Sequence, residues 1–462
     1  MAGERGAAYR QWLAERTTAV VGLARSGVAA ARLIRRLGGR VLASDSGARE
    51  SLSAEARNLE HLGCALWTGG HPDAAFADAD LVVVSPGVSL ELPALEAARA
   101  RGVPVIGELE LGWRVMEADL IAITGTNGKT TTTALTGELV GGTVRPLLVG
   151  GNIGTPLCAH ALDFPADGLV VAEVSSFQLD TTELLRPRVA AVLNVTPDHL
   201  DRHKTFERYV EAKTKIFANQ TPADCAVLNA DDPVAASLAP RTRARVLWFS
   251  RLTPLDHGVF VRDAWIVAKL NGHVEEICPL GEIPLRGQHN VENVLAAAAC
   301  ALWTGLSPES IRRGIGAFRG VAHRIERVLA ERGVTYYNDS KGTNVASTIK
   351  AIESFAEPVI LIAGGKGKGQ DFGPLGQAAR GRVRQAVLIG ADRAPIRAVL
   401  EAAGVPCMDA GSMQEAVAAA RSLAGVGDVV LLSPACASFD MFDSYEHRGE
   451  VFKTAIRELS HA

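Results

Sequence analysis

The segment Ile121-Ala-Ile-Thr-Gly-Thr-Asn-Gly-Lys-Thr-Thr-Thr-Thr133 constrains the fold of this chain more than any other. Its short apolar run predicts a buried strand, which breaks at Gly125 and Gly128 before Lys129-Thr130 open a predicted helix. Backbone N–H groups exposed by glycines, a positive helix N-terminus, a lysine and a hydroxyl together suit a polyphosphate and its Mg²⁺. The full Walker pattern begins with a further glycine where Ile123 stands, so this is a shortened motif, Gly-x-x-Gly-Lys-Thr. The bland alternative is a glycine-rich strand-to-helix turn.

At 462 residues the chain exceeds what one hydrophobic core usually supports, so two or three domains are expected. Short Val/Ile/Leu/Ala runs alternating with amphipathic stretches predict α/β architecture in three blocks. We place a Rossmann-like domain at 1–107, a central P-loop-type ATPase domain at 108–320 and a second Rossmann-like domain at 321–462. A strand-rich stretch is expected near 245–285. A formal net charge of −3 gives no basic excess for a nucleic-acid partner. The seven cysteines are dispersed without a Cys-x-x-Cys pair, which argues against a zinc site and a disulfide framework. No apolar segment follows the charged N-terminus, and the longest apolar run, Val294 to Trp303, is too short to span a membrane. A soluble, cytoplasmic protein is expected.

In the first block, Val20-Val-Gly-Leu-Ala-Arg-Ser-Gly27 and a second strand ending at Asp45 look like a dinucleotide fingerprint whose middle glycine is replaced by Ala24. A nicotinamide oxidoreductase would rest on this block alone and leaves the loop at Gly125 without a role. The same helix N-terminus could hold another diphosphate, such as UDP. Alternatively, Ala24 and Gly27 serve only strand–helix packing.

In the second block, Gly150-Gly-Asn-Ile-Gly154 is a turn with one polar side chain, while Glu173 and Asp198-His199 fall at predicted strand ends, where ligands gather in open α/β sheets. Hard Mg²⁺ takes oxygen ligands, which Thr130 and Glu173 supply, with His199 a less usual third. Each of these residues alone reads equally as a strand-end polar group or a capping histidine.

The ordered set Gly125-Thr-Asn-Gly-Lys-Thr130, Glu173-Val-Ser-Ser-Phe-Gln178, Asn194-Val-Thr-Pro-Asp-His-Leu-Asp-Arg202, Gly287-Gln-His-Asn-Val-Glu-Asn293 and His323-Arg324 resembles the Mur ligases, ATP-dependent amide-bond formers of peptidoglycan synthesis. Asn338-Asp-Ser-Lys-Gly-Thr-Asn344 and Ser433-Pro-Ala-Cys-Ala-Ser-Phe-Asp440 are similar to the branch of that family that adds D-glutamate to UDP-N-acetylmuramoyl-L-alanine. The Asp-Asn-Pro-Arg motif of the diaminopimelate-adding branch is absent.

The resemblance implies that Gly125, Thr126, Asn127, Gly128, Lys129, Thr130 and Thr131 hold ATP phosphates, and that Asn290, Asn293, Arg324 and Asp339 hold the nucleotide. Thr130, Glu173 and His199 would serve two Mg²⁺ ions. Lys213 stands where the family carries a carbamylated lysine, which turns a cation into a carboxylate-like ligand. Lys129, His199 and Lys213 form the implied catalytic set. Ala24, Arg25, Ser26, Asp45, Ser46 and Ser85 match the UDP end of the acceptor. Gly47 stands where a side-chain contact is often found. Asn152 and Gln178 match contacts to its muramoyl-alanine part. No nucleic-acid or membrane partner is implied, and a monomer is expected.

In the third block, Ala363-Gly-Gly-Lys-Gly-Lys-Gly-Gln-Asp-Phe372 reads as a strand and a loop with two cations, suited to a substrate with two carboxylates, or else as a surface turn. By resemblance Lys368 binds glutamate, and Thr343, Ser438, Phe439 and Tyr445 complete the pocket. Tyr445 stands where some members have phenylalanine. Lys341 either faces the reacting centre or pairs with Asp339. Closure of the third domain over the second is expected to exclude water. A non-catalytic nucleotide sensor remains the rival that binds ATP without turnover.

Overall fold

The computed structural model describes residues 5–143, 145–367 and 369–461. The chain divides into two compact units, Met1–Glu282 with Glu292–Gly316, and Ile283–Val291 with Ala317–Ala462. Among the described residues the strands form three sheets.

The first sheet contains β1 (Thr17–Val21), β2 (Arg40–Ser44), β3 (Ala65–Trp67), β4 (Leu81–Val84) and β5 (Val105–Gly107) in the order β3-β2-β1-β4-β5. All of its pairings are parallel. The chain winds from β1 to β2 and β3 on one side, then crosses to β4 on the other. Ligand crevices open at the strand ends beside such a switch.

The second sheet is built from β6 (Asp119–Thr124), β7 (Leu147–Gly151), β8 (Leu169–Glu173), β9 (Val189–Val192), β10 (Cys225–Asn229), β11 (Arg245–Ser250), β12 (Gly258–Arg262), β13 (Trp265–Leu270) and β14 (His273–Pro279). Its order is β14-β13-β12-β11-β10-β9-β6-β8-β7. The expected strand-rich stretch is β11 to β14, with β13 and β14 antiparallel. The winding reverses at β6, which lies between β8 and β9, so the phosphate loop leaves the sheet at its switch point.

These two sheets share a core on one face of the first sheet, whose other face carries a smaller cluster of its own around Val21, Leu42 and Val84. A single cluster of buried apolar side chains runs from Tyr9, Val20 and Ile34 through Leu109, Leu111 and Val115 to Ala122, Val170 and Leu228. Helix Glu108–Val115 joins the sheets, and all eight of its residues are buried. Two of its three charges pair with each other: Arg114 Nε donates to Glu110 Oε1 at 2.7 Å. The same carboxylate accepts the N–H groups of Glu183, Leu184 and Leu185. A buried ion pair persists only with its remaining hydrogen-bonding capacity filled in this way.

The second unit holds β15 (Glu326–Glu331), β16 (Val334–Asn338), β17 (Val359–Gly364), β18 (Val383–Ile389), β19 (Cys407–Asp409) and β20 (Val429–Leu432), ordered β15-β16-β20-β17-β18-β19. Along β17, Val359, Leu361 and Ala363 enter one apolar cluster, while Ile360 and Ile362 enter another. That two-residue alternation explains why a parallel strand covered on both faces reads as an uninterrupted apolar run. Among the described residues no helix is long and apolar enough to cross a membrane.

Candidate active site

The phosphate loop links β6 to helix Lys129–Gly141. Gly128 caps that helix at φ +82°, and a Cβ there would sit 2.2 Å from Asn293 Oδ1. Both the backbone and the neighbour therefore demand glycine. Lys129 Nζ donates to the carbonyls of Gly125 and Thr126, 2.9 Å each, so the ammonium folds back over its own loop. Asn127 N–H donates to Asn194 Oδ1 and Thr126 N–H to Asn194 O, which fixes the loop against the end of β9. Asn293 Oδ1 also accepts from Thr132 Oγ1 at 3.2 Å. Thr130 and Thr131 are buried in the first helical turn.

Lys213, at the end of helix Phe206–Thr214, converges on the same loop: its Nζ donates to Gly125 O at 2.9 Å. It is 1% exposed, and burial first, then the charge of Lys129, holds its amine well below the usual lysine range. A neutral buried amine is the form that adds CO₂. Glu173 ends β8 in register with Ile123, two residues before Gly125. Its Oε1 accepts from Asn152 Nδ2 at 2.6 Å, and its buried Oε2 has no partner among the described residues. His199 adopts φ +52°, is half-exposed, and its Nε2 lies 3.6 Å from Asp198 Oδ2.

Among the described residues no three His, Cys, Asp or Glu side chains gather into a metal cluster. The unpartnered Glu173 oxygen, the Thr130 hydroxyl and a single imidazole fit a cation that keeps several waters, as Mg²⁺ does. A carbamate on Lys213 would add an anionic oxygen donor to that set.

A second crevice of about 570 Å³ opens where the first sheet switches direction. It is lined by Ala24, Arg25, Ser26, Asp45, Ser46 and Ser85, with Asn152 and Gln178 from the second sheet's loops. Ala24 stands at φ −70°, an extended conformation open to any residue, so the backbone at the fingerprint's middle position does not itself demand glycine. Gly27 is not dispensable: a Cβ would lie 1.8 Å from Gly22 O. Asp45 binds its own turn rather than pointing a free carboxylate at the crevice. Its Oδ2 accepts Leu23 N–H and its Oδ1 accepts Gly47 N–H, both at 2.7 Å. Ser85 Oγ likewise donates to Gly22 O at 2.7 Å. Gln178 is the N3 residue of a capping box with Ser175.

The second unit carries Asn290, Arg324, Asp339, Lys341, Thr343, Ser438, Phe439 and Tyr445. Asn290 Nδ2 donates to Arg286 O. Asp339, at the end of β16, accepts from Ser433 Oγ at 2.7 Å and from Ile325 N–H. Burial pushes its carboxyl up to about 6 against the opposing pull of Arg324, whose buried Nε has no hydrogen-bond partner among the described residues. Lys341 Nζ lies 5.8 Å from the Tyr445 ring centroid. Thr343 N–H donates to Lys341 O. Ser438 is buried, whereas Phe439 is 72% exposed. Lys368 lies outside the described residues.

Sequence reasoning missed two organising residues. Tyr209 OH lies 3.1 Å from Thr126 Oγ1, and Lys213 Nζ sits 4.6 Å from its ring centroid. The i, i+4 spacing of Tyr209 and Lys213 on one helix could have found it. The fully buried Arg448 donates to Ser340 Oγ, Ser340 O and Cys436 O, tying together the loops that carry Asp339 and Ser438. No local signal marks it.

Three family descriptions match in order: the MurD-like N-terminal domain over residues 16–107, the Mur ligase middle domain over 123–301 and the Mur ligase glutamate ligase domain over 323–436. The chain is 47% identical over 441 residues to the UDP-N-acetylmuramoylalanine--D-glutamate ligase of Koribacter versatilis, covering 96% of this chain and 97% of that one. It is 48% identical over 439 residues to the protein of the same name from Acidobacterium capsulatum, with 95% of each covered. The fold is similar to the UDP-N-acetylmuramate-alanine ligase of Thermotoga maritima, at TM-score 0.59 and 19% identity, over 97% of this chain and 100% of that one. The three sheets thus follow the three-domain α/β architecture of these enzymes, with Rossmann-like domains flanking a central one, and the chain belongs to the Mur ligase family.

Proposed function

We propose that this Mur ligase joins D-glutamate to UDP-N-acetylmuramoyl-L-alanine at the expense of ATP, releasing ADP and phosphate. The convergence of Lys129 and Lys213 on Gly125 O, at the strand end next to the unpartnered Glu173 oxygen, is the observation that carries this reading. The names and near-complete coverage of the curated relatives support the substrate pair.

A carboxylate acylates poorly because its oxygen leaves badly. In the proposed reaction the alanyl carboxylate oxygen attacks the γ-phosphorus, ADP departs, and the resulting acyl phosphate is attacked by the deprotonated amine of D-glutamate, expelling phosphate. Lys129 moves from its loop carbonyls to the transferring phosphoryl oxygens, where a preplaced cation acts most strongly. The loop N–H groups hold the remaining phosphates. Mg²⁺ held by Thr130, Glu173, His199 and carbamylated Lys213 would supply further charge compensation. Asn152 links the acceptor side to this centre through its bond to Glu173.

A phosphate-release panel of amino acids tests the reading. Release is expected only with ATP, the UDP-linked acceptor and D-glutamate all present. Release without acceptor, or preference for another amino acid, would overturn it, as would tight ATP binding with no turnover under any combination.

A further inference from the structure

Arg202 ends the segment 194–202 that follows β9, yet none of the chemistry above uses it. It sits on the short helix Leu200–His203 that follows His199. Its guanidinium carbon lies 4.6 Å from the Phe177 ring centroid, and its Nη2 donates to Val88 O at 2.9 Å. Those two contacts belong to different sheets.

Val88 forms the lip of the crevice at the first sheet. Its N–H donates to Ser85 O, Ser85 Oγ donates to Gly22 O, and its Cγ2 would be 2.7 Å from a Cβ at Gly22. The lip therefore packs directly on the glycine turn. Phe177 precedes Gln178 and packs against His199 at 4.9 Å and His203 at 5.5 Å between ring centroids. His203 Nε2 in turn lies 3.0 Å from Ser176 Oγ. One guanidinium thus spans from the lip of one crevice to the aromatic group beneath His199. A planar guanidinium can stack on a ring and still donate in its own plane, whereas an ammonium cannot hold both geometries.

We propose that Arg202 is a positioning residue, a clasp that keeps the lip Ser85–Val88 in register with Phe177 and hence with Gln178 and His199. A sugar diphosphate seated on the first sheet then presents its far end to the strand ends of the second. The kinetic arm of this idea rests on the function proposed above; the structural arm does not.

Backbone amide deuterium exchange and steady-state kinetics on the full chain, with Arg202→Lys and Arg202→Ala, test it. Exchange across 85–92 is expected to quicken about tenfold in Arg202→Ala, with 125–131 unchanged, the effect of losing one hydrogen bond from a charged donor. The KM for the UDP-linked acceptor is expected to rise by a similar factor, the KM for ATP to stay within about twofold, and Arg202→Lys to fall between. Unchanged exchange at the lip overturns the clasp. So does a parallel rise in both KM values, or a loosened lip with an unchanged acceptor KM. Absence of turnover in the unsubstituted chain would sink the proposed function, while exchange at the lip would still judge Arg202. Should Arg202→Ala fail to fold, Arg202→Lys with Phe177→Leu supplies the same comparison.

Discussion

Two lysines meet at one carbonyl, and their environments separate their roles. Lys129 extends from a helix N-terminus with its ammonium shared between Gly125 O and Thr126 O, a cation ready to exchange carbonyls for phosphate. Replacing Lys129 with alanine is expected to lower steady-state phosphate release by ~10²–10³-fold, the usual cost of losing one transition-state donor. Near-normal turnover would remove the phosphate-loop assignment. Lys213 is buried, and burial holds its amine well below the usual lysine range, which favours the neutral form that a carbamate would need. A ¹³C resonance from a carbamate carbon is expected after incubation with labelled bicarbonate, and should vanish in Lys213→Arg. Its absence in the unsubstituted chain would leave Lys213 a loop-bracing amine. Lys129 was legible because the motif is local in sequence. Arg448 was not, since its partner Ser340 lies far away along the chain and only packing brings them together, and Tyr209 offered its i, i+4 spacing to Lys213 but no sign of its contact with Thr126.

At the level of elements, strands showed in the sequence wherever both faces are covered, as along β6 and β17, because Leu120 to Ile123 and the whole of β17 are uninterrupted apolar runs. Ala24 looked like damage to a fingerprint, yet its backbone adopts an ordinary extended conformation that any residue tolerates. Helix Glu108–Val115 was harder to anticipate, because a helix buried all round carries Glu108, Glu110 and Arg114. Glu108 lacks a cation partner: its Oε1 accepts Cys158 N–H at 2.7 Å and its Oε2 is unpartnered among the described residues. Burial pushes its carboxyl from 4.5 up to about 7. A folded-state pKa above the unfolded value gives stability that is complete below about pH 4.5 and lost as the pH rises through about 7. Glu108→Gln keeps the acceptor and cannot ionise. Its stability relative to the unsubstituted chain is expected to rise between pH 5 and pH 8, reaching on the order of 1–3 kcal/mol at the upper end. Denaturation midpoints across that range check the sign, and a difference independent of pH would contradict it.

The whole molecule is organised by its cores rather than by its sheets. Three sheets and three matched family regions would suggest three independent folding domains, yet the first two sheets share the cluster that passes through Leu109, Leu111 and Val115. Both faces of the third sheet are covered by clusters drawn from the second unit, strands and helices together. Sequence alone hid this, since the joining helix reads as neither linker nor strand, and a shared core leaves no composition boundary. Cooperativity follows buried contact, so residues packed in one cluster unfold together. Calorimetry is expected to resolve two transitions rather than three, one for Met1–Glu282 with Glu292–Gly316 and one for Ala317–Ala462 with its short companion segment. Leu111→Ala removes a fully buried side chain from the shared cluster and is expected to cost about 2–5 kcal/mol. That cost should lower the transition of the first unit as one event and leave the other where it was. A third transition appearing for the first sheet alone would mean that the shared cluster does not couple the two sheets.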